Sequence, residues 1–264
     1  MISFPRTAVR TLALATSVLL VAACGGRSSE TTAPGSSVPS ARAASLTVFA
    51  AASLTEAFTQ IGSDFEARTA IPVTFNFGSS ATLATQIIQG APADVFAAAS
   101  PATMKTVTDT RAAGRPVNFA SNTLQIAVPD GNPGQITGLA DFADESKTIA
   151  ICAPQVPCGA AATKVFAAAG IIPRPDTLEP DVKATLTKVA ADEVDAALVY
   201  RTDVISEPTK VQGIDFPEAG QAVNLYPIAL LNRTVDRDAA QGFVNYVLSP
   251  EGQAVLERAG FARP

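Results

Sequence analysis

The chain has 264 residues, 47% of them hydrophobic and 16% charged, so it is long and apolar enough to bury a sizeable core. Its formal net charge of −5 argues against nucleic acid as a partner, because nucleic-acid-binding proteins usually carry a basic face. The absence of histidine excludes Ser–His and Cys–His nucleophile pairs and histidine-ligated metals. We therefore expect no nucleic acid, no directly coordinated metal and no cofactor.

The N-terminus has the pattern of a secretion signal. Arg6 and Arg10 lead into an apolar run, residues 12–22, that is too short to span a bilayer comfortably. The run ends in Val-Ala-Ala before Cys24, which resembles a bacterial lipobox, where the signal is cut before the cysteine and the thiol is lipidated. This resemblance implies a signal peptide over residues 1–23 and a lipid anchor on the extracytoplasmic face of the cell membrane. The alternative is an ordinary cleavage site with a chance cysteine.

Residues 24–44 predict a flexible tether. They are rich in Gly, Ser, Thr, Pro and Ala and lack an apolar period, so burial cannot offset the entropy of ordering them. Folded structure is expected to begin near Leu46.

Cys152 and Cys158 leave two interpretations open. An oxidising compartment allows a local disulfide between them, but the short spacing does not guarantee bridging geometry, so two buried free thiols are the alternative.

Short apolar runs alternate with helical patterns along the rest of the chain, which predicts two α/β units. The predicted strands are residues 46–50, 73–77, 94–98, 124–128, 148–152, 196–199 and 223–231. The predicted helices lie within residues 54–65, 83–88, 160–169, 183–191 and 240–259, the last segment being broken at Pro250.

This order predicts parallel pairing with helices on both faces of each sheet. We expect two doubly wound α/β lobes with a ligand cleft between them. Lobe one comprises residues 46–122 and 222–264, and lobe two comprises residues 123–221. In such sheets, ligands bind in the crevice outside the carboxyl ends of the strands.

Small polar residues stand where predicted strands give way to helices, namely Ser53, Ser79, Ser80, Cys158 and Asp181. A structural interpretation makes the serines and the aspartate helix caps, and Ser53 with Glu56 has the spacing of a capping box. A functional interpretation makes them an anion site, since helix N-termini present free N–H groups and serine adds hydroxyl donors. The recurrence of these junctions in both lobes favours the anion site.

Three motifs carry a specific resemblance: Phe-Ala-Ala-Ala-Ser-Leu (49–54), Phe-Gly-Ser-Ser-Ala-Thr-Leu (77–83) and Gly-Ala-Pro-Ala-Asp-Val-Phe (90–96). Together they resemble the molybdate-binding receptors of ABC importers, which have the type II periplasmic binding protein fold. Weaker motifs continue the match in order to the C-terminus, among them Leu-Val-Tyr-Arg-Thr-Asp (198–203) and Tyr-Pro-Ile-Ala (226–229).

The resemblance implies that Ser53 and Ser80 each donate to the ligand through hydroxyl and backbone. It also implies that Cys158 and Val182 donate through their backbone N–H groups and that Tyr200 donates through its hydroxyl. The predicted ligand-binding residues are Ser53, Ser80, Cys158, Val182 and Tyr200.

Two positions depart from the family pattern. Cys158 stands where alanine is usual, and its thiol would crowd the ligand. Lys183 replaces an arginine, so it would bring charge near the site.

The resemblance further implies a monomeric, non-enzymatic receptor that captures molybdate, or tungstate of equal charge and similar size, for an ABC permease. A receptor for another tetrahedral oxyanion such as sulfate is the alternative. Phosphate receptors need an acceptor for the ligand's remaining proton, typically a carboxylate in the pocket, and no acid lies within the serine motifs, although Asp181 is adjacent to one site position. Ferric receptors generally use tyrosines and often histidine, and this chain has three tyrosines and no histidine. A secreted serine hydrolase is disfavoured because Gly-x-Ser-x-Gly is absent, and a regulatory effector domain because of the export signal.

Overall fold

The computed structural model describes residues 45–264. The predicted signal peptide (1–23), the lipidation site Cys24 and the predicted tether (24–44) lie outside the described residues. Within residues 45–264 no helix combines the length and the apolar character needed to cross a membrane.

Ten strands and eight α-helices follow one another along the described part of the chain. The strands are β1 (Leu46–Ala51), β2 (Val73–Gly78), β3 (Val95–Ala97), β4 (Val117–Asn122), β5 (Leu124–Pro129), β6 (Ile149–Cys152), β7 (Thr177–Glu179), β8 (Ala196–Tyr200), β9 (Val211–Ile214) and β10 (Asn224–Leu230). The helices are α1 (Thr55–Thr69), α2 (Ser80–Ile88), α3 (Pro101–Asp109), α4 (Pro157–Ala169), α5 (Val182–Ala190), α6 (Arg201–Ser206), α7 (Arg237–Leu248) and α8 (Pro250–Arg258).

The strands form two five-stranded sheets of the same topology. Lobe one has the order β2-β1-β3-β10-β4, and lobe two has the order β7-β6-β8-β5-β9. In each sheet the first three strands are parallel, while the fourth runs antiparallel to both of its neighbours. That fourth strand, β10 or β5, is the one that follows directly after the chain passes from the other sheet. The α/β class with two sheets is therefore confirmed, with one antiparallel strand per sheet that the alternation did not predict.

The sheet of lobe one is buried on both faces. In β1, Val48 and Ala50 join the core formed with α1, α7 and α8, whereas Phe49 joins the opposite core under α2 and α3. In β3, Val95 and Phe96 divide in the same way. Alternate side chains of a strand point to opposite faces, so a strand covered on both sides needs a continuous apolar run. This explains the apolar runs of these two strands.

The chain passes between the sheets at two neighbouring points. Asn122 ends β4 just before β5 begins, and it pairs in register with Asn224 at the start of β10. The two segments that connect the sheets therefore lie side by side. The residue limits of the lobes given above remain a prediction.

The apolar pattern predicted the elements with a clear apolar run or period and missed five others. The missed elements are α3, β4, β7, α6 and β9. In α3 only Met104 and Val107 are buried, so its apolar face is narrow. In β9 the residues alternate poorly and two of the four are exposed, which leaves no strand signature.

Candidate functional site

The carboxyl ends of the six parallel strands converge on one cavity of about 220 Å³ between the lobes. Each of β1, β2, β3, β6, β7 and β8 ends beside residues that line it. Lobe one contributes Ala51, Ala52, Ser53, Gly78, Ser79, Ser80 and Ala99, and lobe two contributes Val156, Pro157, Cys158, Asp181, Val182 and Tyr200. The structure thus brings all five predicted ligand-binding residues together, and adds Ser79 to them.

Two helices that begin at the cavity, α2 and α4, have no side-chain cap, and a third, α5, is capped without using its first N–H. The N-cap residue of α2, Ser79, accepts no N–H bond through its side chain, and neither does Val156 at the start of α4. At α5, Asp181 does cap, accepting the N–H groups of Lys183 and Ala184 but not that of Val182. Because the first N–H groups of a helix have no partner within the helix, these groups are available to a bound acceptor.

The predicted capping box of Ser53 and Glu56 is wrong. The chain makes a short 3₁₀ turn at Ala52–Leu54, so α1 begins only at Thr55 and its N-cap is Leu54, with no side-chain bond. Ser53 instead lies inside the 3₁₀ turn, with its hydroxyl 2.9 Å from the hydroxyl of Tyr226. Capping therefore does not account for the serine at this position.

Hydrogen bonds from the protein hold the other hydroxyls of the cavity wall from behind. The N–H of Ala99 donates to Ser80 Oγ at 3.0 Å, and the side-chain amide of Asn224 donates to the Tyr200 hydroxyl at 2.7 Å. Ser79 Oγ is buried and finds no hydrogen-bond partner among the described residues. A buried hydroxyl without a partner is costly, so Ser79 is suited to bond a ligand.

No lysine or arginine lines the cavity wall that the structure describes. Lys183 Nζ lies instead 2.8 Å from Glu56 Oε1 of α1 and 3.5 Å from Asp203 Oδ1, and it also donates to Ser206. The positive charge of Lys183 is thus engaged in an ion pair between the lobes and does not line the cavity. Burial raises the pKa of Tyr200 well above its ordinary value, so its hydroxyl keeps its hydrogen and is a neutral donor.

The sequence profile of the bacterial extracellular solute-binding protein family matches residues 46–262. The chain belongs to this family.

Among the relatives of this solute-binding protein is the molybdate-binding protein ModA of Mycobacterium tuberculosis H37Rv, 44% identical over 94% of this chain and 96% of the relative. Two solved structures share the fold. The periplasmic molybdate-binding protein of Azotobacter vinelandii has a TM-score of 0.71 at 22% identity, covering 83% of this chain and 99% of its own. The sulfate-binding protein SubI of M. tuberculosis has a TM-score of 0.72 at 15% identity, covering 83% and 87%.

Family membership confirms the resemblance drawn from the motifs and the prediction that this solute-binding protein is not an enzyme. It also agrees with an extracytoplasmic location. The ligand contacts of the five residues remain a prediction. Among residues 45–264, no group of three or more Cys, Asp or Glu side chains is placed to hold a metal ion.

Cys152 and Cys158 are joined by a disulfide, with 5.7 Å between their Cα atoms. The bond links the end of β6 to the first turn of α4. The sulfur of Cys158 is therefore tied back toward the strand, and the crowding expected from a free thiol does not arise. The disulfide also fixes the backbone N–H of Cys158 beside the cavity.

Three residues around the site escaped the sequence analysis: Tyr226, Asn224 and Asp203. The motif at 226–229 marked Tyr226 without giving it a role, and Asn224 carries no local signal because its partners Ala99 and Tyr200 are distant in sequence. Asp203 is fully buried and accepts the backbone N–H of Tyr200 at 3.1 Å. It therefore holds the backbone of a predicted ligand-binding residue.

The buried carboxyl of Asp203 predicts a pH dependence of stability. Burial raises its pKa from 3.8 to about 6, with Lys183 opposing the shift. The folded protein thus keeps a proton that the unfolded chain releases, so this group's contribution is full below pH 3.8 and is lost as pH rises through about 6. We expect wild type to lose stability relative to Asp203→Asn across that window, measured by urea unfolding at several pH values. If the free energy of unfolding changed with pH in the same way in the two proteins, the raised pKa of Asp203 would be contradicted.

Proposed function

We propose that this protein is an extracytoplasmic receptor that captures molybdate in the cavity between its lobes. The observation that carries the proposal is a cavity at six strand ends that is lined by four hydroxyls, those of Ser53, Ser79, Ser80 and Tyr200, and by the first turns of three helices, with no cationic side chain among its described residues. The relative of 44% identity that is named as a molybdate-binding protein supports the same ligand.

The chemistry of the wall matches an ion that has only acceptors. A fully deprotonated tetrahedral oxyanion carries four oxygens and no hydrogen, so every contact must come from a donor. Hydrogen bonds to a charged group contribute about 1.5–3 kcal/mol each. Half a dozen of them contribute about 9–18 kcal/mol, against the roughly 12 kcal/mol of nanomolar binding, and the upper part of that range leaves room for dehydration and lobe closure.

Asp181 is the carboxylate that lines the cavity, and it also caps α5. One of its oxygens, Oδ1, accepts two N–H groups of its own helix at 2.9 and 3.0 Å. The carboxylate is thus used as a helix cap.

Tungstate has the same charge and nearly the same size as molybdate, so we propose that it binds too. We further propose that the receptor works as a monomer and delivers the ion to an ABC permease. Release requires the lobes to separate, which would break the ion pair between Lys183 and Glu56 across the cleft.

Anion selectivity tests the proposal. Molybdate and tungstate should bind at micromolar concentrations or tighter, and the smaller sulfate at least about tenfold more weakly, a difference of about 1.4 kcal/mol. The reason is that a donor cage fitted to the larger ion cannot contract without straining both lobes. Calorimetric titration with molybdate, tungstate, sulfate and phosphate measures the order. Equal affinity for sulfate and molybdate would contradict the assignment of molybdate as the ligand, although the protein would still be a receptor for tetrahedral oxyanions.

The serine hydroxyls are tested by a matched pair of substitutions. Ser80→Ala should weaken molybdate binding by about 1.5–3 kcal/mol, since it removes one donor to the anion. The control is Ser100→Ala, because Ser100 caps α3 by accepting the N–H of Thr103 and does not line the cavity. It should lower the free energy of unfolding by about 1 kcal/mol with affinity unchanged. Equal molybdate affinity in the two variants would mean that Ser80 is structural.

We propose that Cys24 carries the lipid anchor. Cys24→Ser should abolish lipidation and release the protein from the membrane, with molybdate affinity unchanged because residue 24 precedes the matched family region, 46–262. Membrane fractionation and mass spectrometry check the outcome. Lipid still attached to the variant would show that Cys24 is not the anchor.

A further inference from the structure

Tyr226 is a buried tyrosine of β10 that contacts the cavity wall without lining the cavity. Its ring is fully buried, and its hydroxyl lies 2.9 Å from Ser53 Oγ. The ring packs edge-on against those of Phe119, Tyr200 and Phe261, at centroid distances of 6.3, 6.2 and 5.3 Å. The hydroxyl is therefore held in place by an aromatic cluster.

The direction of the bond between Tyr226 and Ser53 follows from the groups around them. Burial raises the pKa of Tyr226, so its hydroxyl keeps a hydrogen that needs an acceptor. Two other polar side chains lie beside it, but the Tyr200 oxygen already accepts from Asn224 and the Asn122 side-chain oxygen already accepts the N–H of Thr123. A phenol is also a stronger donor than an alcohol. The hydrogen of Tyr226 is thus directed to Ser53 Oγ.

We infer that Tyr226 is a positioning residue that fixes the hydrogen of Ser53 toward the cavity. Because Ser53 Oγ already accepts from Tyr226, its own hydrogen is left for a ligand oxygen that carries no proton. The inference rests on the proposed function and deepens it, since it explains how a hydroxyl, which can donate or accept, is restricted to donating.

The same arrangement recurs at the two other predicted site hydroxyls. Ser80 accepts from the N–H of Ala99, and Tyr200 accepts from the amide of Asn224, which is itself anchored by donating to Ala99 O at 2.8 Å. Backbone N–H and amide NH₂ groups can only donate, so both hydroxyls keep their hydrogens for other acceptors. Ser79 alone among these wall hydroxyls has no such partner. Selection against a proton-bearing oxyanion such as hydrogen phosphate therefore rests on the three fixed hydroxyls.

A double-mutant cycle tests the inference with four proteins: wild type, Ser53→Ala, Tyr226→Phe and the double variant. Tyr226→Phe should weaken molybdate binding about five- to tenfold, because the hydroxyl of Ser53 is then free to turn away. In the Ser53→Ala background the same substitution should change affinity by less than about twofold, since the group it positions is gone. Titrations with molybdate and with phosphate at one pH give both values for each protein.

The phosphate titrations add a measurement that a purely structural role would not move. Once Ser53 is released it can accept a hydrogen, so the preference for molybdate over phosphate should narrow in Tyr226→Phe. The matched control is Tyr246→Phe, because Tyr246 lies on α7 with Arg68 over its ring and does not line the cavity. It should leave both affinities and their ratio unchanged.

Independent effects of Ser53→Ala and Tyr226→Phe, or a molybdate affinity of Tyr226→Phe within twofold of wild type, overturn the inference. If Tyr226→Phe does not fold, Asn224→Leu and Tyr200→Phe form a second cycle with the same logic, in which loss of coupling is again the contradicting result. Failure of the proposed function is recognised separately, because wild type itself would then not bind molybdate.

Discussion

A doubly charged anion that enters a closed cavity loses its water, and the protein must replace those hydrogen bonds at fixed positions. A lysine or arginine would supply charge, but also a flexible cation that needs a partner whenever the ligand is absent. The proposed site offers neutral groups instead: N–H groups at uncapped helix starts and hydroxyls held by their neighbours. Parallel strands that end at one edge of each sheet bring those helix starts together, so the topology of both lobes serves the same cavity.

Contacts between the lobes connect binding to closure. Asn224 of lobe one bonds Tyr200 of lobe two, and Lys183 of lobe two pairs with Glu56 of lobe one. Lys183 also lies beside the buried Asp203, which holds the backbone of Tyr200. Opening the cleft would therefore break the Tyr200 contact and the ion pair together. A ligand that forms hydrogen bonds with both lobes binds the closed arrangement more tightly than the open one, and it stabilises closure by that difference in binding free energy.

The parts of the molecule that the sequence predicted are those with a local signal. The apolar runs of β1 and β3 and the period of α1 follow from burial on one or both faces, and the serines after β1 and β2 stand out because polar residues interrupt apolar patterns. The family motifs then singled out Tyr200 and two backbone positions that no pattern marks. The antiparallel strand in each sheet depends on where the chain crosses, which no local window contains. Likewise, the bond of Tyr226 to Ser53 joins residues 173 apart in the chain.

The capping box shows that the right spacing does not ensure a cap. The spacing of Ser53 and Glu56 is right for a box, yet a 3₁₀ turn delays the helix and frees both side chains for contacts across the molecule. A side chain that could cap its own helix can also bond a group distant in sequence, and here Ser53 contacts Tyr226 and Glu56 pairs with Lys183 instead.

A crystal structure of the protein grown with molybdate, with anomalous data collected at the molybdenum edge, tests the central claim most directly. We expect one anomalous peak in the interlobe cavity, with the oxygens of the ion within hydrogen-bonding distance of Ser53, Ser80 and Tyr200 and with Lys183 still paired to Glu56. A peak elsewhere on the protein, or Lys183 turned onto the anion, would contradict binding by neutral donors.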